Sequence, residues 1–305
     1  MKKGIQLIAI FLCCNYVYAQ EYSNYQINRF GSAAFTEIAK NPAFTGLEGR
    51  HVLDLNYDLM KFGDWSFDQY KVDYSTNFGK KNQLGVGGYY TYDNSIFSTV
   101  HEVNASLAYK YTIKSNLDIS IGLSAITYNR LVIDLEKIRN GALDPDDPLL
   151  QGSKYIEDRL DYNIGLWMNY RRFYFGFSCL DFFTIDLQGD DDEFLARTSS
   201  THINSGFDIS LTKDWHLSPT IYVMNIFEEN DLYQFGLFAD YANLVYSGIT
   251  YKLNGLAGYN FFGFKGGVLL AKRIRATVGY EFTTDDEGTS DIDFRNWFFG
   301  LRLQY

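Results

Sequence analysis

Several residue types are scarce in this chain, and their scarcity excludes some classes of protein. The 305 residues include only 4 Pro and 3 Cys. Few prolines favour a sheet, because proline interrupts the hydrogen-bond ladder between strands. Cys13 and Cys14 fall in an apolar stretch that we predict is removed, so Cys179 would be alone and no intramolecular disulfide could form. We predict that Cys179 is a small strand residue facing lipid or core, not a nucleophile.

Long apolar runs are also missing beyond the first 19 residues, which argues against a transmembrane helix of about 18 residues or more. Residues 1–19 have the layout of a secretory signal, with Lys2 and Lys3 before the apolar stretch and Val17-Tyr18-Ala19 before Gln20. The cysteines lack the small residue that usually precedes a lipidated cysteine. We therefore predict a cleaved signal peptide and export, and not a lipoprotein.

Positive charge is in deficit. The chain has 27 Lys and Arg against 37 Asp and Glu, a net charge of −10. Nucleic-acid binding depends on neutralising phosphates with basic side chains, so this balance predicts no nucleic-acid partner.

Aromatic residues are abundant, with 25 Tyr and 25 Phe, and many lie in alternating patterns. The last nine residues show this pattern, and Phe298 is its one exception. Successive side chains of a strand point to opposite faces, so the pattern gives one oily face and one polar face. In a transmembrane barrel the oily face meets lipid and the polar face a wet lumen, and a terminal Tyr can anchor at the membrane interface. We predict a membrane-anchoring C-terminal strand whose lipid-facing residues are Trp297, Phe299, Leu301, Leu303 and Tyr305.

The same alternation recurs from His51 to the end of the chain in about 14 segments of roughly 9–11 residues. We predict an all-β fold, a transmembrane outer-membrane β-barrel of about 14 antiparallel strands over residues 51–305. Residues 20–50 do not alternate and are predicted to form a periplasmic or plug-like segment. The alternative is a secreted all-β sandwich, which would bury its aromatic side chains between two layers. Polar residues predicted to line the lumen include Asp54, Asp58, Asp73, Glu102, Asp118 and Arg302.

The predicted connections follow the parity of the strands. Links after even strands are short, whereas most links after odd strands are long, such as Arg130–Asp161 and Asp181–Thr201. Outer-membrane barrels have short periplasmic turns and long extracellular loops, so this parity independently favours a barrel.

The two predicted rims differ in charge. The long loops are acidic, whereas five of the six short turns carry Lys or Arg. The simpler interpretation is solubility, because charged runs usually mark solvated faces. The sharper interpretation is a periplasmic docking rim for an acidic partner. Its residues are Lys80, Lys81, Lys114, Arg171, Arg172, Lys213, Lys272 and Arg273.

The sequence shows no pattern typical of catalysis. The four histidines lie apart, without the paired spacing of metal ligands, and no Ser or Cys sits in a nucleophile motif. We predict that the protein is not an enzyme and has no cofactor. The acidic runs at 144–147 and 190–193 could hold Ca²⁺, but neither matches the register of a calcium loop, so solvated loops are favoured.

Three landmarks carry a family resemblance: Tyr22 to Tyr25 with the later Asn41-Pro42-Ala43-Phe44-Thr45-Gly46, the run Asp144-Pro145-Asp146-Asp147-Pro148, and an aromatic-rich closing strand after Gly279-Tyr280-Glu281-Phe282. The layout resembles the PorP/SprF family of outer-membrane proteins of the type IX secretion and gliding systems of Bacteroidetes. The most specific motif of this resemblance comprises Asn41, Pro42, Ala43, Phe44 and Gly46.

The resemblance implies a non-enzymatic barrel that lies in outer-membrane lipid. It also implies association with type IX secretion components and with the C-terminal domain of a secreted cargo protein, such as a gliding adhesin. Such a barrel supports the secretion or surface attachment of its cargo. The alternative from a different class is an outer-membrane channel for a small or hydrophobic solute.

Overall fold

The computed structural model describes residues 41–48, 51–63, 65–79, 82–114, 117–141, 152–187, 199–226, 230–254, 260–271, 273–284 and 294–304. The predicted signal peptide, the chain up to residue 40 and both acidic runs lie outside these residues. None of the helices in the described ranges combines the length and the apolar character needed to cross a membrane.

The described chain forms one antiparallel sheet in which every strand pairs with its neighbours. The strands are β1 (His51–Phe62), β2 (Trp65–Phe78), β3 (Leu84–Asn94), β4 (Ser98–Lys114), β5 (Leu117–Asp134), β6 (Lys154–Tyr170), β7 (Phe173–Asp186), β8 (Ser200–Phe207), β9 (Ile209–Ser210), β10 (Trp215–Ile226), β11 (Asn230–Tyr241), β12 (Val245–Asn254), β13 (Asn260–Ala271), β14 (Ile274–Thr284) and β15 (Phe294–Gln304). A 3-10 turn spans Pro42–Phe44, and a short helix, α1, spans Leu135–Gly141.

The sheet closes into a barrel. Strand β15 pairs along its whole length with β1, from Gln304 opposite Val52 to Phe294 opposite Phe62. Strands β8 and β9 are two parts of one barrel strand, because both pair with β10 on either side of Asp208. The predicted closed barrel of 14 antiparallel strands is therefore confirmed. Closure leaves no sheet edge with unpaired backbone groups, which a membrane-spanning sheet requires.

Side-chain alternation divides the barrel into an apolar outside and a polar inside. In β1, Asp54, Asn56 and Asp58 are buried in the interior, whereas Leu55 between them is exposed on the outside. Phe264 is 51% exposed on the outer face, where it meets hydrocarbon. The sandwich alternative is wrong, because a closed single sheet has no second layer against which these rings could be buried.

Several strands are longer than predicted. Strands β5 and β6 have 18 and 17 residues and shorten the predicted loop at Arg130–Asp161, and β7 continues to Asp186 and shortens the predicted loop at Asp181–Thr201. On the outer face of these extensions Arg130 forms an ion pair with Asp158, at 3.2 Å between Nε and Oδ1. Tyr128 also donates to Asp158. Charged pairs on the outer face are stable in water and not in lipid, so these hairpins extend beyond the bilayer. The extensions lack the alternation of apolar residues, and the sequence therefore did not predict them.

Candidate functional site

The segment Asn41–Glu48, which contains the family motif, lies inside the barrel against its wall. We call it the strap. It begins beside β6 and β7, passes β5 and β3, and ends beside β1 and β15. The wall residues that it touches lie near the short turns, so the strap follows the inner wall at the periplasmic end.

Asn41 fixes the first end of the strap. Its Nδ2 donates to the backbone oxygens of Leu166 and Phe177, at 3.0 and 3.2 Å. Its Oδ1 accepts from the Ala43 backbone N–H at 2.9 Å and so caps the 3-10 turn. Pro42 follows at the first position of the turn, where its fixed φ is favourable and its missing N–H costs nothing. One buried side chain therefore joins the strap to two strands.

Glycines in the wall make room for the strap. A Cβ on Gly122 would overlap the backbone of Pro42 and Ala43, and a Cβ on Gly165 would overlap the Asn41 side chain. A Cβ on Gly85 would likewise overlap the Thr45 carbonyl. The wall thus lies so close to the strap at these three positions that any residue larger than glycine would displace it.

The rest of the motif has equally specific contacts. The Phe44 ring packs edge-on against Trp167 with centroids 4.8 Å apart. Gly46 has φ +73°, a conformation that favours glycine, and a Cβ there would overlap the Thr76 carbonyl. Asn77 Nδ2 donates to the Gly46 carbonyl at 2.8 Å. These contacts explain why the motif requires an aromatic residue and a glycine at these positions.

An ion-pair cluster holds the second end of the strap. Arg302 Nη1 lies 2.6 Å from Glu48 Oε1. The Nε and Nη2 atoms of Arg302 donate to the two carboxylate oxygens of Asp54, at 2.7 and 3.0 Å. Gln304 Nε2 donates to the Glu48 carbonyl at 2.7 Å. The last strand of the barrel therefore binds both the first strand and the strap.

Beside the strap, the inner surface of β2–β7 is a packed polar core. Asn104 and Asn163 both donate to Thr127, and Asn129 donates to Asp161. Thr127 and Asp161 are each 0% exposed, so a water-sized probe does not reach them. We call this surface with its strap the strap-side wall. The bonds of Thr127 and Asp161 cross from strand to strand and form a buried polar network.

The inner surface of β10–β15 is built differently, from glycines covered by aromatic rings. A Cβ on Gly248 would overlap the Phe238 ring, and one on Gly267 would overlap Tyr246. Phe298, the exception in the sequence pattern, points inward beside Gly300, and Lys265 Nζ lies 4.0 Å from its ring centroid. We call this surface the aromatic wall. Several of its inward residues, including Phe238 and Tyr246, are partly exposed within the lumen.

Near the extracellular end, four inward side chains form a small apolar cluster. Met60, Phe67, Phe261 and Phe294 are all buried, and the two rings from β13 and β15 meet edge-on at 5.1 Å. The alternation in the sequence did not predict this cluster, because an apolar residue that points inward breaks the alternation.

The predicted site residues lie in different parts of the barrel. In the basic rim, Arg171, Arg172, Lys213 and Arg273 are exposed at the short-turn end, and Lys114 ends β4. Lys80, Lys81 and Lys272 lie outside the described residues, as does Tyr305. Trp297 and Phe299 face outward with 42% and 46% of their surface exposed, and Leu301 and Leu303 share that face.

No group of three or more His, Cys, Asp or Glu residues suited to a metal ion occurs in the described part of the chain. The two acidic runs considered for Ca²⁺ lie outside that part. His202 is buried and bonded to Ser200 and Tyr222, so it serves as a polar core residue.

Sequence comparison shows the family of this barrel. Residues 20–305 match the profile of the type IX secretion system membrane protein PorP/SprF, so the chain belongs to that family. No curated protein sequence matches the chain.

Solved structures with the same fold are outer-membrane proteins. The CymD monoaromatic hydrocarbon channel is 10% identical with a TM-score of 0.55, covering 88% of this chain and 92% of that one. The toluene transporter TbuX of Ralstonia pickettii is 9% identical with a TM-score of 0.56, covering 88% and 93%. At this identity the likeness shows the fold alone.

Proposed function

We propose that this barrel is a non-enzymatic component of the type IX secretion system that supports the secretion or surface attachment of specific cargo proteins. The match of residues 20–305 to a type IX secretion membrane family carries the proposal. Gliding adhesins with a C-terminal sorting domain are the cargo class that we propose.

The interior of the barrel supports a structural role over catalysis or free passage. The strap follows half of the inner wall at the periplasmic end, and beside it Thr127 and Asp161 accept hydrogen bonds from neighbouring strands. Asn41, Thr127 and Asp161 are all nearly inaccessible to water. A lumen organised in this way fits a barrel that holds partners at its two rims.

Deleting the gene tests the proposal. We expect one or a few cargo proteins to remain inside the cell while other type IX cargo still reaches the surface. Surface proteomics of intact cells measures this, and complementation with the full chain is the control. Normal display of every cargo protein in the deletion strain would contradict the proposal.

The partners are proposed to meet the barrel at opposite ends. The exposed basic residues Arg171, Arg172, Lys213 and Arg273 would contact an acidic surface of periplasmic or outer-membrane secretion components. The extracellular loops would meet the C-terminal domain of the cargo. Purification from outer membranes in mild detergent, followed by identification of the co-purifying proteins, tests both contacts.

A channel for a small or hydrophobic solute is the second candidate function. Two observations favour it: the shared fold with a monoaromatic hydrocarbon channel and the partly exposed inward residues of the aromatic wall. Liposome swelling and single-channel conductance of the full chain test it directly. A barrel that conducts nothing and admits no monoaromatic solute would eliminate the channel role and leave the cargo role unaffected.

A further inference from the structure

Two arginines face each other at the periplasmic mouth. Arg275, the second residue of β14, lies directly opposite Arg302 of β15. Residues directly opposite on neighbouring strands point to the same face, and like charges in this arrangement destabilise a sheet. The pair therefore needs negative charge beside it, and carboxylates supply that charge here.

Two carboxylates stand beside Arg302, and they are held very differently. Asp54 belongs to the wall: it lies opposite Arg302 in β1, binds it with both oxygens, and its side chain is only 9% exposed. Glu48 belongs to the strap, contacts Arg302 through one oxygen, and its side chain is 28% exposed. Arg275 lies on the same inner face as Arg302, directly opposite it on the neighbouring strand. Asp54 is thus a fixed part of the barrel, whereas Glu48 is a reachable ligand.

We propose that Arg275 and Arg302 form a carboxylate-binding site at the periplasmic mouth, filled in the resting protein by Glu48 of the strap. A carboxylate on a peptide that enters from the periplasm takes the place of Glu48 and releases that end of the strap.

The chemistry of the two arginines fits this ligand. A guanidinium presents several N–H donors in a planar fork that matches a carboxylate. Arg302 binds Asp54 through Nε and Nη2 and binds Glu48 through Nη1. An incoming carboxylate would therefore bind at Nη1, in the place of Glu48. Arg275 lies over the Tyr246 ring, 5.4 Å from Cζ to the centroid, which orients it within the lumen.

Apart from the Glu48 carboxylate, the strap is held at this end by neutral hydrogen bonds, which are weaker than a charge-assisted one. The backbone carbonyl of Glu48 accepts from Gln304, and the Gly46 carbonyl accepts from Asn77. Asn41 stays bound to β6 and β7 at the far end. The strap can therefore open at its Glu48 end while its first end remains seated.

Hydrogen–deuterium exchange of the full chain in detergent tests the first half of the proposal. The amide of Leu47, which donates to the Phe44 carbonyl, reports opening of the Glu48 end, whereas the amides of Phe44 and Thr45, which donate to the carbonyls of Asn41 and Pro42, report the seated end. In a Glu48→Ala variant we expect the Leu47 amide to exchange at least about tenfold faster, the effect of losing one charge-assisted hydrogen bond, while the amides of Phe44 and Thr45 change less. The control is Asp214→Ala, which removes a carboxylate from an exposed periplasmic turn and leaves strap exchange unchanged. Unchanged strap exchange in Glu48→Ala would overturn the proposal.

Acetate tests the second half as a simple carboxylate probe. In the unmodified protein, acetate is expected to speed strap exchange more than chloride at the same ionic strength, because it competes with Glu48. In Glu48→Ala, acetate is expected to slow exchange at the ends of β14 and β15 by neutralising the two arginines. Adding Arg275→Gln should abolish that rescue. Equal effects of acetate and chloride would refute a carboxylate site. Because these measurements use purified protein, they stand apart from the cargo experiment.

Discussion

The strap-side wall and the aromatic wall belong to one sheet, yet they solve the problem of filling a wide lumen in different ways. On the strap-side wall, glycines leave room for a backbone segment, and Gly122 and Gly165 touch the strap itself. On the aromatic wall, Gly248 and Gly267 are covered by Phe238 and Tyr246 from neighbouring strands. Inward glycines therefore have two roles in this barrel: some make room for the backbone of the strap, and others make room for an aromatic ring.

The two walls also differ in the solvent exposure of their inward side chains. On the strap-side wall, Thr127 and Asp161 are inaccessible and are bonded across strands, whereas the aromatic wall keeps partly exposed residues in the lumen. A dry polar network is rigid and specific but costly to leave incomplete. Ring-on-glycine packing tolerates water at its margin. We therefore expect changes on the strap-side wall to have larger effects on stability.

The largest effect is expected from Gly122→Ala. The added methyl group would overlap the backbone of Pro42 and Ala43, so the strap must leave its seat. Overpacking typically costs about 1–3 kcal/mol, and the lost hydrogen bonds of Asn41 add to it, so we expect more than about 3 kcal/mol of destabilisation. Urea unfolding in detergent micelles measures this loss, and exchange over the strap reports its release.

Gly266→Ala is the matched control for that substitution. Gly266 lies on the outer face, and the nearest atom to an added Cβ is 3.5 Å away. We expect a change within about 0.5 kcal/mol, as for surface substitutions. Equal losses in the two variants would show that Gly122 does not seat the strap.

Asn41→Ala should have the second largest effect. It removes the donor to the buried carbonyls of Leu166 and Phe177 and also the cap on the Ala43 N–H. Unsatisfied buried groups cost about 1–3 kcal/mol and a lost cap about 1, so we expect about 2–3 kcal/mol in urea unfolding.

Asn41→Asp separates the two contributions. It retains the oxygen that caps Ala43 but loses both donated bonds, and it brings a carboxylate to two carbonyl oxygens. It should be no more stable than Asn41→Ala. Recovery of full stability in Asn41→Asp would mean that the cap alone holds this end of the strap.

These contacts mark the limit of what the sequence predicts. The barrel was predictable because lipid and water impose an alternation at every strand, as at Leu55 between Asp54 and Asn56. The contacts of the motif were not predictable, because the contact between Ala43 and Gly122 joins distant parts of the chain and follows no periodic pattern in the sequence. The inward position of Phe298 could have been predicted from the sequence. Glycines lie close to it, and an inward aromatic ring can cover such glycines.

The ion-pair cluster shows the same limit. The sequence predicts that Asp54 and Arg302 line the lumen, and both do. It does not predict that they are direct partners, because their pairing depends on the register between the first and last strands. Glu48 carried no signal, since it lies beyond the motif and before the first alternating residue.

Phe298→Leu tests the aromatic wall and should have a smaller effect. Leucine fills most of the volume but leaves Gly300 without its covering ring, and it removes the contact with Lys265. Swaps between large apolar residues usually cost less than about 1.5 kcal/mol and a cation–π contact contributes about 0.5–1 or more at a buried ring such as Phe298, so we expect a loss of about 1–2 kcal/mol. Phe264→Leu on the lipid face is the control and should change less. A loss as large as that of Gly122→Ala would remove the proposed difference between the walls.

Reversing the charge of Arg171 and Arg172 should have the smallest effect on stability and a clear effect on association. Both side chains are exposed in the β6–β7 turn, so replacing them with Glu should change unfolding by less than about 0.5 kcal/mol. If the basic rim binds an acidic surface, recovery of secretion components in a pull-down should fall, and more so at low salt. Lys61→Glu with Lys137→Glu reverses two exposed charges at the other end and should leave recovery unchanged. Equal recovery in all three proteins would mean that these turns serve solubility and do not bind the secretion components.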